Sequence, residues 1–349
     1  MRTSILLLII LAVSAVIIGQ ELPPVSVTQR ELPGIAKDLR EIETLKSTIS
    51  PMISLQALEI LREKEKAVAI IDKSLSDAEV SAARSIADRS TRQLEIKAKL
   101  NRPQQRITHG RAAMFSEFQY QVALVFAGYK KPQDGQFCGG SLIDKAWILT
   151  AAHCLNSDTQ PADIEVYVGS VRLSSGGRLV PIQHVYRHEQ YDADTNKNDI
   201  ALLELASPVD SQQPIDLVGN SESEASMIKF SRNATISGWG DTREGANEGS
   251  DDLLYATTPI ANHEACTSSY AMISKQITGD MICAGNGRTD TCQGDSGGPL
   301  VLHTSDGKSH LEGVVSWGQG CAEKKYPGVY TRVPSYVGWI HEKIGVQGP

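Results

Sequence analysis

The cysteines constrain this chain most, because all six lie in residues 107–349 and none in residues 20–106. They are Cys138, Cys154, Cys266, Cys283, Cys292 and Cys321. An even count fits three disulfides, although six cysteines permit about fifteen pairings and counting alone leaves the choice open. No pair has the C-x₂-C spacing of a zinc site, so no metal is expected. Disulfides need an oxidising compartment. The N-terminus offers a route to one: Arg2 precedes an almost unbroken apolar run from Ile5 to Ile18. That run is short of the roughly 20 residues of a membrane span and fits the apolar core of a signal peptide. Residues 1–19 are therefore expected to be a signal peptide, cut after Ala15 or Gly19, with a signal anchor as the alternative. The product is expected to be secreted and extracellular.

The cysteine-free region reads as helical. Ile35, Leu39, Ile42, Leu45 and Ile49 form one apolar stripe at spacings of four and three. Pro51 interrupts it, and Leu58, Leu61, Val68, Ile71 and Leu75 continue a similar stripe. A third candidate helix runs from Asp77, an N-cap, to about Leu100, before Asn101-Arg102-Pro103. A coiled coil is the sharper alternative to a simple helical segment, but the stripe falls short of three clean heptads. Residues 107–349 read as β. Short Val-, Ile- and Leu-rich runs fall at Gln121–Phe126, Ala146–Thr150, Ile164–Val168, Ile200–Leu205, Ala234–Trp239, Leu311–Trp317 and Gly328–Arg332, separated by turn residues. Only Tyr336–Ile344 reads there as a helix. The first region carries a net charge of +2 and the second −10. The net of −7 for the whole chain argues against nucleic-acid binding, and the acidic second region favours basic substrates.

Three segments carry chemistry: Thr150-Ala-Ala-His153-Cys154, Asn198-Asp199-Ile-Ala-Leu-Leu203, and Gly294-Asp295-Ser296-Gly297-Gly298-Pro299. Each has an ordinary explanation by itself: a structural histidine, a turn-capping aspartate, a tight glycine loop. In the order His, Asp, Ser, within an exported β-rich region, they resemble the chymotrypsin/trypsin family of serine proteases. The resemblance spans Ile107 to about Val346. It implies an all-β fold of two antiparallel Greek-key barrels with a C-terminal helix; the helical pattern of residues 20–106 makes the segment ahead of it a mainly α-helical propeptide. It also implies a serine endopeptidase using Ser296 as nucleophile, His153 as general base and acid, and Asp199 to orient the imidazole. The Gly294 and Ser296 N–H groups would form the oxyanion hole. The implied disulfides are Cys138–Cys154, Cys266–Cys283 and Cys292–Cys321.

The same resemblance assigns specificity and control. Asp290 occupies the position of the pocket floor, and Ser316, Trp317, Gly318 and Gly328 that of its walls. A carboxylate at the end of an open slot implies cleavage after Arg or Lys. Arg106-Ile107-Thr108-His109-Gly110 resembles an activation site. Cutting after Arg106 would create an Ile107 amine able to pair with Asp295. Arg106 itself suits the pocket, so the activator is either the same enzyme or another Arg-cutting protease. Two departures bear on cofactors, of which none is expected. Ser170 to His184 contains no Asp or Glu to hold calcium, and Pro327 stands where sodium-activated relatives carry an aromatic residue. Other expectations are a monomeric protease domain, peptide or protein substrates, and a glycan on the sequon Asn233-Ala-Thr235. The alternative from another class is a catalytically impaired homologue acting as a binding protein. Retention of His153, Asp199 and Ser296 argues against it.

Overall fold

The computed structural model describes residues 88–96, 110–218, 233–240, 249–287, 294–303, 308–319 and 323–345. The expected signal peptide, the first two helical stripes, Arg106, Ile107, Asp290, Cys292 and Cys321 lie outside those residues. Part of the third candidate helix is described, as α1 over residues 88–96, with Leu94 and Ile96 buried. The chain divides into two compact units. One contains α1; the other comprises Leu100–Ala127 and Lys131–Pro349.

The second unit is mostly β. After β1 (Arg111–Ala112), six strands close into a barrel in the order β2-β3-β4-β7-β6-β5. They are β2 (Gln121–Phe126), β3 (Gln136–Asp144), β4 (Trp147–Thr150), β5 (Ile164–Val168), β6 (Arg178–Arg187) and β7 (Ala201–Leu205). The short helix α2 (Pro132–Gly135) leads into β3. Every pairing in this barrel is antiparallel. Its interior is filled by Val122, Leu124, Leu142, Ile148, Val166, Val180 and Leu203, all fully buried. Each such side chain contributes about 1.5–3 kcal/mol of transfer free energy. Gly139 and Gly140 interrupt the apolar run of β3 because neighbours approach too closely for side chains. A Cβ at Gly140 would lie 2.7 Å from Ile148 Cγ2, and one at Gly139 would lie 3.2 Å from Gly298 Cα.

The remaining strands are β8 (Asp216–Leu217), β9 (Asn233–Gly238), β10 (Leu254–Pro259), β11 (Met281–Ala284), β12 (Pro299–His303), β13 (Ser309–Trp317) and β14 (Gly328–Arg332). They form a sheet in the order β1-β10-β9-β12-β13-β14-β11, with β8 added in parallel to β13. An antiparallel Ile260–Ala284 bridge returns β11 to the end of β10, so this sheet also curls into a barrel. Ile236, Ile282, Leu300, Leu302, Val315 and Tyr330 fill it.

Two helices pack on this unit. α3 (His263–Ala271) starts at Asn262, whose side chain accepts the Ala265 N–H at 2.9 Å. It buries Cys266 and Tyr270 against Met281, Cys283 and Val329. No helix was expected there from the sequence. Only Cys266 and Tyr270 are buried along it, so it carries no apolar stripe to read. α4 (Val337–Ile344) ends at Gly345, whose φ of 72° permits the left-handed cap. Disulfides join Cys138 to Cys154 and Cys266 to Cys283, as the resemblance implies. The third implied bridge falls on Cys292 and Cys321, outside the described residues.

Candidate active site

The three motif segments meet between the barrels. β4 runs into a 3-10 turn, Ala152–Cys154, that carries His153. The Cys138–Cys154 bridge pins this turn to β3, and the Thr150 hydroxyl donates to the Gly139 carbonyl at 2.8 Å. Asp199 lies at the entrance to β7, after Asn198. Asn198 has φ 54°, left-handed geometry that asparagine tolerates better than most residues. The Asp199 carboxylate faces His153 twice. Oδ2 lies 2.7 Å from the ring Nδ1, and Oδ1 accepts the His153 backbone N–H at 2.8 Å.

The second barrel supplies the rest of the Asp199 environment. Ser316 on β13 donates its hydroxyl to Oδ2, and Thr331 on β14 donates to the Asp199 carbonyl at 2.7 Å. Asp199 is 0% exposed. Burial alone would raise its carboxyl above the usual range. The electrostatic attraction of the His153 ring and the hydrogen bonds from His153 and Ser316 outweigh burial and hold it below that range. The group is thus an anion at neutral pH, and a ring whose Nδ1–H points at it leaves Nε2 as the acceptor.

Ser296 sits in the turn Gly294–Gly297, nearly buried at 5% exposure. Gly294 and Gly297 have φ of 86° and 78°, values that glycine alone adopts at little cost. A side chain at Gly297 would meet the Thr150 hydroxyl at 2.2 Å. The Gly139 N–H donates to the Ser296 carbonyl at 2.7 Å, tying the turn to the strand that braces His153. Asp295 is also 0% exposed, and its Oδ1 accepts the Gly240 N–H at 2.9 Å. A Cβ on Gly238 would stand only 2.0 Å from that oxygen.

Of the expected pocket walls, Trp317 ends β13 and Gly328 opens β14, with Gly318 following Trp317. Trp317 pairs with Val329 across the sheet and packs edge-on against Tyr270 at 4.9 Å. The Tyr270 hydroxyl donates to the Pro327 carbonyl at 2.8 Å. The structure brings these walls together, while Asp290 lies outside the described residues. Ser316, expected as wall, also reaches Asp199 through its hydroxyl.

Sequence reasoning missed several supports. Tyr336, just before α4, donates to Asp280 Oδ2 at 2.7 Å and lies 3.0 Å from Asn198 Oδ1. Burial pushes the Asp280 carboxyl up, but hydrogen bonds from Thr278 and Tyr336 hold it below its usual range. No motif marks these residues. Ligand atoms of Cys138, His153 and Cys154 lie within 4.8 Å of one another, but the disulfide consumes both thiolates a metal would need.

Comparison with known proteins gives one family model, described as Trypsin, matching residues 107–340. Three curated relatives are each 38% identical to this chain. "Trypsin Blo t 3" of Blomia tropicalis aligns over 240 residues, 68% of this chain and 85% of the relative. "Trypsin 5G1" of Aedes aegypti aligns over 246 residues, 69% and 86%. "Trypsin I-P1" of Gallus gallus aligns over 240 residues, 67% and 88%.

Proposed function

The chain belongs to the trypsin family of serine proteases and is a serine endopeptidase, and from that premise we propose that it is a secreted zymogen cutting after Arg or Lys with Ser296, His153 and Asp199. The observation that carries the catalytic assignment is the buried Asp199 carboxylate at 2.7 Å from His153 Nδ1. It supports a ring held in one tautomer, with Nε2 left to take the Ser296 proton. Ser296 Oγ then attacks the scissile carbonyl carbon. The carbonyl oxygen becomes an oxyanion facing the Gly294 and Ser296 N–H groups. Imidazolium His153, stabilised by Asp199, returns the proton to the leaving amine, and water repeats the sequence to release the acyl group.

Selectivity in this reading rests on Asp290 pairing with a basic side chain between Trp317, Gly318 and Gly328. Control rests on Asp295. In this reading the Ile107 amine freed by cleavage after Arg106 pairs with this carboxylate beside the nucleophile, an ion pair that stabilises the active form only where its geometry is good. Residues 1–19 are then the signal peptide, 20–106 a propeptide and 107–349 the protease domain, acting as a monomer. Among the described residues no helix is long and apolar enough to cross a membrane. Asn233 is exposed at the start of β9 and accessible to a glycan. No metal is required. In the loop before β6 the Arg172 guanidinium bonds Asp252 at 2.8 Å, a cross-link made by the protein itself.

The test uses the purified chain cut after Arg106 and assayed on Arg, Lys and Phe peptides. Turnover of Arg and Lys peptides, abolished by Ser296→Ala, is the expected result. Turnover of Phe alone would refute the assignment of Asp290. High activity without any cut at Arg106 would refute the zymogen.

A further inference from the structure

We propose that Gln136 is a positioning residue for the oxyanion site, tying the Gly294 carbonyl to the side of the cleft that bears His153. The proposal rests on the reading of the Gly294 and Ser296 N–H groups as oxyanion donors.

Local sequence delivers this side chain to the site. Pro132 starts α2, and the Gln136 N–H closes it by donating to the Pro132 carbonyl. Strand β3 begins at Gln136, and its register against β2 shifts at once: Leu124 pairs with Cys138, but Val125 pairs with Gln136. Phe137 is therefore the extra residue of a bulge. Its ring turns inward to stack on Phe126 at 4.2 Å. A bulge redirects the side chains beside it, and here Gln136 points towards the Ser296 turn.

Gln136 Nε2 has two hydrogens and uses both. One goes to the Gly294 carbonyl at 2.8 Å, the other to the Cys138 carbonyl at 3.2 Å. Both partners are acceptors, so the atom facing them must be the amide nitrogen rather than the oxygen. Cys138 is bonded to Cys154, the neighbour of His153. The one amide thus spans the backbone bearing the base and the backbone bearing the oxyanion donors.

Gly294 needs such a tether. Its φ of 86° sets the direction of its N–H, and glycine passes readily between positive and negative φ. Fixing its carbonyl removes part of that freedom. The carbonyl on the far side of Asp295, that of Ser296, is held by the Gly139 N–H at 2.7 Å. Strand β3 therefore grips both carbonyls that flank Asp295, one through backbone and one through a side chain. Only the side-chain grip can be removed by mutation.

The test compares the chain cut after Arg106 with its Gln136→Met variant, which keeps length and loses both donors. Two probes share one peptide: an aldehyde carrying the side chain of the best substrate, and the matching alcohol. Ser296 Oγ adds to the aldehyde carbon, its proton passes to His153, and the aldehyde oxygen becomes an oxyanion. The alcohol forms no adduct. Misplacing a donor by about 1 Å costs on the order of 10²-fold. We expect kcat to fall about 10- to 100-fold with KM within about twofold, aldehyde affinity to fall by a similar factor, and alcohol affinity to hold. Gln136→Glu, which sets a carboxylate against the Gly294 carbonyl, should lose more. Equal weakening of aldehyde and alcohol, or no change in either, overturns the proposal. Should Gln136→Met fail to fold, Gln136→Asn, one methylene too short, takes its place under the same criteria. A parent enzyme that does not bind the aldehyde refutes the underlying reading of the site instead.

Discussion

Replacing Gly238 with alanine isolates the role of Asp295. Gly238 ends β9, and its φ lies outside the left-handed region, so alanine strains the backbone little. The added Cβ would stand 2.0 Å from Asp295 Oδ1 and 2.8 Å from its Cγ. Ordinary contact between such atoms is about 3.5 Å, so the carboxylate must retreat by roughly 1.5 Å. That retreat breaks the 2.9 Å bond from the Gly240 N–H, at a cost of about 1.5–3 kcal/mol for a charged buried acceptor. It also drags the adjacent Ser296 and its N–H. A displacement near 1 Å costs about 10²-fold in rate. The expected result is kcat/KM reduced about 100-fold or more after cleavage at Arg106. The folded state should persist, because the first barrel and the His153–Asp199 pair are untouched. Active-site titration with a slowly deacylating ester, beside thermal unfolding, measures both. Parental kcat/KM in Gly238→Ala would sink the argument that Asp295 must occupy this position.

Two further substitutions test the buried charges. Ser316→Ala removes one donor from Asp199 Oδ2; a hydrogen bond to a charged group is worth about 1.5–3 kcal/mol, so kcat/KM should fall about tenfold or more. An unchanged value would mean that the hydroxyl does not support the anion. Glu312 on β13 is fully buried, and its carboxylate oxygens have no hydrogen-bond partner among the described residues. Burial pushes its carboxyl up to about 8 despite Arg332, whose Nε lies 3.8 Å away. A carboxyl raised on folding contributes most below its unfolded value near 4.5, and that contribution is lost as pH rises towards 8. Glu312→Gln should thus match the parent at pH 4 and be more stable at pH 8, by up to a few kcal/mol. Unfolding in urea at the two pH values checks this, and equal differences at both would contradict it.

The strands most legible in the sequence are those whose side chains alone determine them. Gln121–Phe126, Ile164–Val168 and Gly328–Arg332 appear with the bounds expected from their β-branched and apolar runs. Strand β3 was hidden by Gly139-Gly140, whose reason is a close approach from Ile148 and Gly298 that no local pattern reveals. Strand β12 begins two glycines after Ser296, and its opening Pro299 reads as a turn residue. α3 owes its place to the Asn262 cap, the Cys266 bridge and the packing of Tyr270, which are mostly tertiary facts. At the candidate site, the contact between His153 and Asp199 joins two motif segments that the sequence singled out, because the proposed chemistry demands those residue types. Their supports were not: Thr331, Tyr336 and Gln136 are ordinary residues whose partners lie 132, 138 and 158 positions away in sequence.

That pattern of supports bears on how a single cut could control the enzyme. His153 and Asp199 belong to the first barrel, and Ser296 to the second. Each side is fixed by the other: Asp199 by Ser316 and Thr331, and the Ser296 turn by Gly139 and Gln136. The two sides nevertheless differ in stiffness. The His153 turn is braced by a disulfide, and the carboxylate facing it is completely buried. The Ser296 turn has a positive-φ glycine at each end, at Gly294 and Gly297, residues whose backbone passes readily between conformations. A new charge pairing with Asp295 would act on the middle of that segment. In the proposed activation the base and its aspartate are therefore already built, and the amine of Ile107 has only to set the nucleophile and the oxyanion donors.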